Sequence, residues 1–227
     1  MEQRITFTQL KKLARTLGID TYGYDKYTIR KSIVDYLKKP KVGLFNYEKI
    51  RQIGNKGKDA IVYLTKKSKK YYAMKSFKKK VTTSNIKKEI EFQNIAFQSG
   101  IAPKIIDYNL SDKYIVMQKM DTHLVDYITK KNGILPKKHQ IRLIEIFKKL
   151  DENKIFQTDP NILNYMIKND KIYMIDYGMC KNIDKKLTKK LGTDKPNLKF
   201  TLLSFICKLK EGKCSPSSYK HLLNVTV

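Results

Sequence analysis

The residues best suited to chemistry form two short motifs, one running from Asp159 to Asn164 and one from Asp176 to Gly178. An aspartate and an asparagine five positions apart are followed, after an apolar run, by an Asp-aromatic-Gly turn. Phosphoryl transfer needs a carboxylate that orients an acceptor hydroxyl and takes its proton, together with oxygen ligands for Mg²⁺. Asp159 suits the first task, Asn164 and Asp176 suit the second, and Gly178 is expected to let the backbone turn sharply beside the metal. Each motif alone is also typical of an ordinary turn or cap.

A lysine at the end of an apolar strand is the first upstream feature that fits this chemistry. Lys75 closes the run Tyr-Ala-Met-Lys, which matches the Val-Ala-Ile-Lys pattern of nucleotide-binding strands. One lysine among 43 is ordinarily a solvated surface charge. At this position it becomes a candidate clamp for the α- and β-phosphates of a nucleotide.

The turn before that strand is a weak match to a phosphate-covering glycine loop. Aligning Val62 with the valine of G-x-G-x-x-G-x-V places three residues at the glycine positions, namely Asn55, Gly57 and Ala60. Only the middle glycine is kept, so an ordinary hairpin remains an alternative. A turn of small residues can still direct backbone N–H groups at phosphates.

Two glutamates on the next helix, predicted over residues 84–99, could pair with Lys75. Glu89 and Glu91 are two positions apart and therefore point in different directions. Glu89 is favoured because its distance to the turn at 100–103 suits a helix end there. A surface partner for a neighbouring lysine is the alternative role of either glutamate.

Hydrophobic periodicity predicts the elements that must position these residues. Strands are expected at 61–64, 71–74, 104–108, 114–117 and 171–175, and helices at 84–99, 137–150 and 198–209. The helix at 137–150 is predicted to bury Ile141, Ile144, Phe147 and Leu150 on one face. Strands with one helix, followed mostly by helices, indicate an α+β fold.

Residues 1–38 are predicted to form a separate small helical unit. The first helix carries Leu10, Leu13, Ala14 and Leu17 on one face and ends at Gly18, and the second carries Ile29, Ile33, Val34 and Leu37. Pro40 and Gly43 indicate a linker at about residues 38–45.

Charge is the extreme feature of the composition. Forty-eight Lys and Arg residues against 21 Asp and Glu give a net charge of +27, which favours contact with polyanions. Because 43 of the 48 are lysines and Ile, Asn and Tyr are abundant, an A/T-rich genome is an equal explanation. No run approaches the ~18 apolar residues of a membrane span, and the N-terminus lacks the apolar core of a signal peptide. Three scattered cysteines argue against a disulfide framework or a zinc site and favour a reducing compartment.

The series Gly57, Lys75, Glu89, Asp159, Asn164 and Asp176 resembles the eukaryotic-type protein kinase fold. It is most similar to the small atypical kinases of the RIO and KEOPS kind and to compact kinase-like proteins of large DNA viruses. The phrases at 100–107 and 115–120 are similar to those of the same kinases. The resemblance covers about residues 46–210 and implies a two-lobed kinase domain at 46–227, with an N-lobe at 46–117 and a shortened C-lobe at 118–227.

The same resemblance implies site residues and an activity. Nucleotide-binding residues would be Gly57, Val62, Ala73, Lys75, Met117, Gln118 and Met120, with Met117 as gatekeeper and 118–120 as the adenine-binding hinge. Catalytic residues would be Asp159, Lys75 and Glu89, and metal ligands Asn164 and Asp176. The implied function is an ATP- and Mg-dependent serine/threonine protein kinase, which would act in the cytoplasm or nucleus, or in the host cell or virion if viral.

Departures from the kinase pattern keep alternatives open. Gln157-Thr158-Asp159 stands for His-Arg-Asp, so the structural histidine is missing. No Ala-Pro-Glu follows Gly178, and only 49 residues remain after it, so the usual activation segment is expected to be absent. A kinase-derived pseudoenzyme that binds nucleic acid or protein is the main alternative. A phosphotransferase for small cationic acceptors, like the aminoglycoside-modifying relatives, is a further alternative. A net charge of +27 suits it poorly, because the protein would repel cationic substrates.

The first 38 residues are weakly similar to the SAP-type helix–extended–helix motif, which binds DNA. The phosphate contacts implied by that similarity are Lys11, Lys12, Arg15, Arg30 and Lys31. A plain two-helix appendage is the alternative. The expected partners are therefore an acidic protein substrate and DNA, with the chain itself a monomer.

Overall fold

The computed structural model describes residues 6–16, 21, 25–38, 47–54 and 57–225. The chain divides into two compact units, Met1–Tyr47 and Glu48–Val227. Several expectations lie outside the described residues: the helix end at Leu17 and Gly18, most of the linker at 38–45, Asn55 of the glycine loop, and the side chains of Val34 and Leu37.

The described residues of the first unit contain two capped helices, α1 (Phe7–Thr16) and α2 (Lys26–Lys38). The Thr6 hydroxyl accepts from the Gln9 N–H at 3.3 Å, and the Asp25 carboxylate accepts from the Thr28 N–H at 2.7 Å. The helices pack through Leu10, Ala14, Ile29 and Ile33. Leu13 was expected on the buried face but is 42% exposed, because two helices alone cover only a narrow stripe of α1.

The second unit begins with an antiparallel five-stranded sheet. Its strands are β1 (Glu48–Gln52), β2 (Ala60–Lys67), β3 (Lys70–Phe77), β4 (Ile105–Asn109) and β5 (Tyr114–Gln118), in the order β1-β2-β3-β5-β4. Helix α3 (Thr83–Gln98) connects β3 to β4 and is capped by Thr82, whose hydroxyl accepts from the Asn85 N–H. Ile86 and Ile90 of α3 pack on Ile115 of β5, which fixes the helix against the sheet.

The remainder of this unit is mostly helical. Helices α4 (Leu124–Lys130), α5 (Lys137–Glu152), α6 (Lys185–Leu191), α7 (Leu202–Glu211) and α8 (Lys220–Leu223) are joined by short strands β6 (Thr122–His123), β7 (Ile155–Phe156), β8 (Tyr165–Lys168), β9 (Lys171–Met174) and β10 (Lys181–Asn182). Strands β6, β8 and β9 form one sheet, and β7 pairs with β10. Phe147, Tyr165 and Phe205 meet edge to face in the core, with ring centroids 5.0–6.1 Å apart. None of the described helices is both long and apolar enough to cross a bilayer.

The predicted α+β class and the predicted strands are confirmed, but two helical predictions need correction. Ile141 was expected on the buried face of α5 and is 52% exposed, whereas Leu143 and Ile146 are fully buried. An α-helix has 3.6 residues per turn, so positions spaced by three, such as 141, 144, 147 and 150, rotate gradually away from one face. Positions 143, 146, 147 and 150 stay on one face. The apolar run at 198–209 is not one α-helix, because it begins with a π-helical turn, Asn197–Thr201, before α7.

Candidate active site

Three charged side chains from separate elements meet at one point. Lys75 on β3 lies opposite Val62 of β2 and Ile115 of β5. Its Nζ is 2.5 Å from Oε1 of Glu89 on α3 and 2.8 Å from Oδ1 of Asp176. The Glu89 side chain is only 4% exposed and that of Lys75 12%, while Asp176 remains 49% exposed. The cluster therefore has two inner members and one that faces outward.

The protonation states of the cluster follow from burial and mutual attraction. Burial raises the pKa of Glu89, although the Lys75 charge opposes it. Burial also acts to lower the pKa of Lys75, but the two carboxylates outweigh it and raise that pKa above 10.5. For Asp176, burial is outweighed by the Lys75 charge and by hydrogen bonds from Lys75 and Gly178, so its pKa falls below 3.8. Lys75 is thus a cation and Asp176 an anion at neutral pH.

Gly178 allows Glu89 and Asp176 to approach the same turn. Its N–H donates to Asp176 Oδ1 at 3.2 Å, and a Cβ at this position would lie 3.1 Å from Glu89 Oε2. The sharp turn expected at Gly178 is at Asp176 instead, where φ is +64°. Glycine is needed at 178 for space rather than for a left-handed backbone.

Asp159 and Asn164 form a second pair in the loop between β7 and β8. Asn164 Nδ2 donates to Asp159 Oδ2 at 3.0 Å and to the Asp159 carbonyl at 3.2 Å. The Ile175 N–H donates to the Asn164 carbonyl at 2.7 Å, which holds the residue before Asp176 against this loop. Because the amide nitrogen of Asn164 is turned toward Asp159, its oxygen is directed away from that carboxylate.

Gln157 joins the two groups of residues. Its Oε1 accepts from the Asp159 N–H at 3.1 Å, and its Nε2 donates to the Asp176 carbonyl at 3.2 Å. The side chain is 1% exposed. The sequence showed only that a histidine was missing here. In the structure, the glutamine side chain physically connects the loop of Asp159 to the turn of Asp176.

A buried polar network, which no sequence pattern indicated, supports Gln157 from behind. Asn197 Oδ1 accepts from the Gln157 N–H at 2.9 Å, and the Thr201 hydroxyl donates to the Gln157 carbonyl at 2.9 Å. Asp151 of α5 accepts from the Asn197 N–H and side-chain amide at 2.9 and 2.7 Å. The only available signal was a polar residue at each of these positions, which the sequence does not distinguish from surface residues.

Five of the seven predicted nucleotide-binding residues lie on neighbouring strands of the five-stranded sheet, whereas Gly57 and Met120 lie outside its strands. Ala73 of β3 lies opposite Met117 of β5. The Gln118 N–H donates to the Lys104 carbonyl at 2.9 Å, so this N–H is already engaged, and Met120 is buried. The structure thus groups Val62, Ala73 and Met117 near Lys75 within one sheet.

Gly57 is held locally instead of joining the charged cluster. Its N–H donates to the Ala60 carbonyl at 3.1 Å, and its own carbonyl accepts from Lys78 Nζ at 2.8 Å. A Cβ here would lie 3.0 Å from the Ala60 carbonyl, so a side chain at this position would crowd the tight turn. The described contacts of Gly57 do not include Lys75, Glu89 or Asp176.

Oxygen ligands at the site are few. Across the described ranges, no cluster of three or more His, Cys, Asp or Glu side chains could hold a metal ion by themselves. Asp176 and Asn164 nevertheless offer one carboxylate and one amide oxygen, which is the donor set that Mg²⁺ accepts when phosphates complete its shell. The residues present fit a magnesium ion that arrives with a nucleotide.

The site combines a lysine–glutamate pair, which joins a strand to a long helix, with an Asp…Asn loop and an Asp-Tyr-Gly turn. This combination defines the domain as kinase-like. The sequence profile of the ABC1 atypical kinase-like domain matches residues 62–193. The match spans more than half of the chain, and the protein belongs to this family. No curated protein sequence matches the chain. Similarity to RIO, KEOPS-complex or viral kinases and to the SAP motif stays a prediction.

Proposed function

We propose that the protein is an ATP- and Mg²⁺-dependent phosphotransferase whose acceptor is a serine or threonine hydroxyl of a protein. The observation that carries this proposal is the Gln157 bridge, which holds the Asp159–Asn164 loop against the Lys75–Glu89–Asp176 cluster. A domain that had lost its activity would have no need to keep both groups intact and joined.

Binding of the nucleotide falls to Lys75 and the five-stranded sheet. Glu89 fixes the Lys75 ammonium, which would contact the α- and β-phosphates. Val62, Ala73 and Met117 supply half-buried surface for the adenine, and the Gly57 turn would cover the phosphates. Because the Gln118 N–H is engaged by Lys104, other backbone groups of the hinge, including those of Met120, would contact the base.

The metal site would be built from Asn164 Oδ1 and the Asp176 carboxylate. A bound Mg²⁺ neutralises the charge that develops on the transferred phosphoryl group. The lowered pKa of Asp176 keeps its carboxylate ionised and ready to coordinate at neutral pH.

The transfer itself is assigned to Asp159. Its carboxylate would orient the acceptor hydroxyl and take its proton as the hydroxyl oxygen forms a bond to the γ-phosphorus. The bond from that phosphorus to the β,γ-bridging oxygen breaks, and ADP leaves. Asn164 Nδ2 holds Asp159 Oδ2, which restricts the carboxylate to one orientation.

The test is transfer of radiolabelled phosphate from ATP to acidic and basic protein acceptors. Lys75→Met, Asp159→Ala and Asp176→Ala should each abolish transfer, whereas Lys70→Met, on the exposed end of the same strand, should not. Full transfer by the Lys75 or Asp176 variant refutes the assignment. Mg-ATP binding without transfer by the wild-type protein supports the pseudoenzyme instead.

A DNA-binding role for the first unit is a second candidate, favoured by basic side chains on both helices. Arg15, Arg30 and Lys31 are exposed. Substituting Arg30 and Lys31 by alanine in the full chain should lower the salt slope of DNA binding by about two, because two phosphate contacts are lost. The same slope after substitution, or an equal change in a Lys69→Ala/Lys70→Ala control, rules this role out.

A further inference from the structure

The segment at 181–199 is a strongly basic stretch that follows the candidate active site in the chain. It contains seven lysines against two aspartates, so its net positive charge per residue is about twice the average of the chain. The lysines are Lys181, Lys185, Lys186, Lys189, Lys190, Lys195 and Lys199. We refer to it as the basic segment. It follows the Asp-Tyr-Gly turn by two residues, so it occupies the chain position of an activation segment.

Both ends of the basic segment are fastened to the strand and turn that lead into Asp159. At its start, β10 pairs with β7, with Lys181 opposite Phe156, and the Ile183 N–H donates to the Lys154 carbonyl at 2.8 Å. At its end, Asn197 Oδ1 accepts from the Gln157 N–H at 2.9 Å. The segment therefore has a fixed position beside the Asp159 loop.

The lysines of this segment are free to meet a partner. All seven are exposed, and helix α6 between the two anchors contains no buried residue. Within the described part of the chain, none of them forms an ion pair, while surface lysines such as Lys80 and Lys138 do. Of the two aspartates in the segment, Asp184 is used to cap α6 by accepting from the Leu187 N–H at 2.7 Å.

An apolar side chain lies between Asp159 and the lysines. Met179 is 60% exposed, and its carbonyl accepts from the Thr158 hydroxyl at 2.8 Å, one residue before Asp159. A polypeptide whose hydroxyl reaches Asp159 would pass Met179 and then the basic segment. The combination of a carboxylate, an apolar contact and a row of cations suits an extended peptide.

We propose that the basic segment binds an acidic stretch of the polypeptide substrate next to the residue that is phosphorylated. The proposal rests on the proposed phosphotransfer to protein and names the class of substrate. Lysine ammonium groups are point charges on flexible stems, so they pair with the carboxylates of an extended acidic peptide without the fixed bidentate geometry that arginine imposes. The basic segment contains no arginine.

The test uses two synthetic peptides with the same central serine and threonine, one flanked by glutamates and one by glutamines. Peptide binding is measured by fluorescence anisotropy without ATP, and phosphate transfer is measured separately. The variant replaces Lys185, Lys186, Lys189 and Lys190 by glutamine. The control variant makes the same charge change at Lys69, Lys70, Lys130 and Lys131, which are exposed elsewhere.

The α6 variant should bind the acidic peptide about tenfold more weakly, since each exposed ion pair contributes a few tenths of a kcal/mol. The control variant and the neutral peptide should show little change. Equal weakening in both variants overturns the proposal, because it shows a diffuse effect of net charge. It is also overturned if the α6 variant loses binding to a single-stranded oligonucleotide or to phosphatidylserine vesicles but not to the acidic peptide.

Failure of the proposed function would look different. If the wild-type protein prefers the acidic peptide but transfers phosphate to neither peptide, the docking surface stands and the phosphotransfer to protein falls. If it phosphorylates both peptides equally and binds them equally, the docking surface falls and the phosphotransfer stands.

Discussion

Replacing Gln157 by leucine removes the bridge between the two halves of the site while keeping a side chain of similar size. Two hydrogen bonds with the backbone are lost, one accepted from the Asp159 N–H at 3.1 Å and one donated to the Asp176 carbonyl at 3.2 Å, together with a weak bond from Nε2 to Met174 Sδ at 3.6 Å. Each bond with the backbone is worth about 1 kcal/mol, so the free energy of unfolding should fall by about 2 kcal/mol. For a chain of this size, that corresponds to a decrease in Tm of about 4–8 °C.

The effect on activity should exceed what this loss of stability explains. In the proposed mechanism, Asp159 and the turn of Asp176 act on the same phosphoryl group, so their relative position matters most in the transition state. If loss of the two bonds lets the Asp159 loop shift relative to the Asp176 turn, this misalignment should lower kcat about 30-fold, the rate equivalent of about 2 kcal/mol of transition-state stabilisation. Gln157→His, which keeps a ring N–H donor, should recover part of this loss.

Gln140 provides a matched control. It is also 1% exposed, and it makes three hydrogen bonds in the helical part of the unit, to the Leu135 and Ser217 carbonyls and from the His221 N–H. Gln140→Leu should lower Tm at least as much and leave kcat unchanged below its own Tm. The reasoning is refuted if Gln157→Leu is destabilised but transfers phosphate at the wild-type rate, or if Gln140→Leu lowers kcat equally.

Three further predictions concern other parts of the domain. Gly178→Ala should lower phosphate transfer about tenfold, because the added methyl group would lie 3.1 Å from Glu89 Oε2 and move that carboxylate off Lys75. Unchanged transfer in the radiolabel assay would contradict this prediction. Because the folded-state pKa of Asp176 lies below 3.8, its contribution to stability is complete above that pH and is lost as the pH falls through the folded-state value. The stability difference between wild type and Asp176→Asn, measured by denaturant titration, should therefore be constant from about pH 7 to pH 5 and shrink at lower pH. Phe205→Ala should cost about 3–5 kcal/mol because the ring is fully buried, whereas Leu203→Ala, 48% exposed on the same helix, should cost under about 0.5 kcal/mol in the same measurement.

The parts of the fold that follow from local periodicity could be read from the sequence. The strands at 61–64 and 71–74 are each a short apolar run next to a lysine-rich turn, and they lie inside β2 and β3. The choice between Glu89 and Glu91 also followed from helix geometry, and Glu89 is the one that reaches Lys75. The buried face of α5 was predicted wrongly because Ile141 and Leu143 are equally apolar. Only the packing of neighbouring elements decides which of the two is buried.

The polar network behind the site could not be read from the sequence for a different reason. Most bonds of Gln157, Asn197 and Thr201 join a side chain to the backbone of a residue about 20–45 positions away. A backbone N–H or carbonyl has the same chemistry at every residue, so it leaves no pattern that identifies its partner. Only the three-dimensional course of the chain brings these atoms together.

The same network explains how the segment at 197–201 holds the Asp159 loop in place. Burial raises the pKa of Asp151, although the hydrogen bonds from Asn197 and Leu198 oppose this effect. A buried carboxylate left without those donors would destabilise the fold by several kcal/mol. The segment at 197–198 must therefore stay docked on α5 for the domain to be stable, and while it is docked, Asn197 holds Gln157. Stability of the fold and order of the candidate active site thus depend on the same buried contacts.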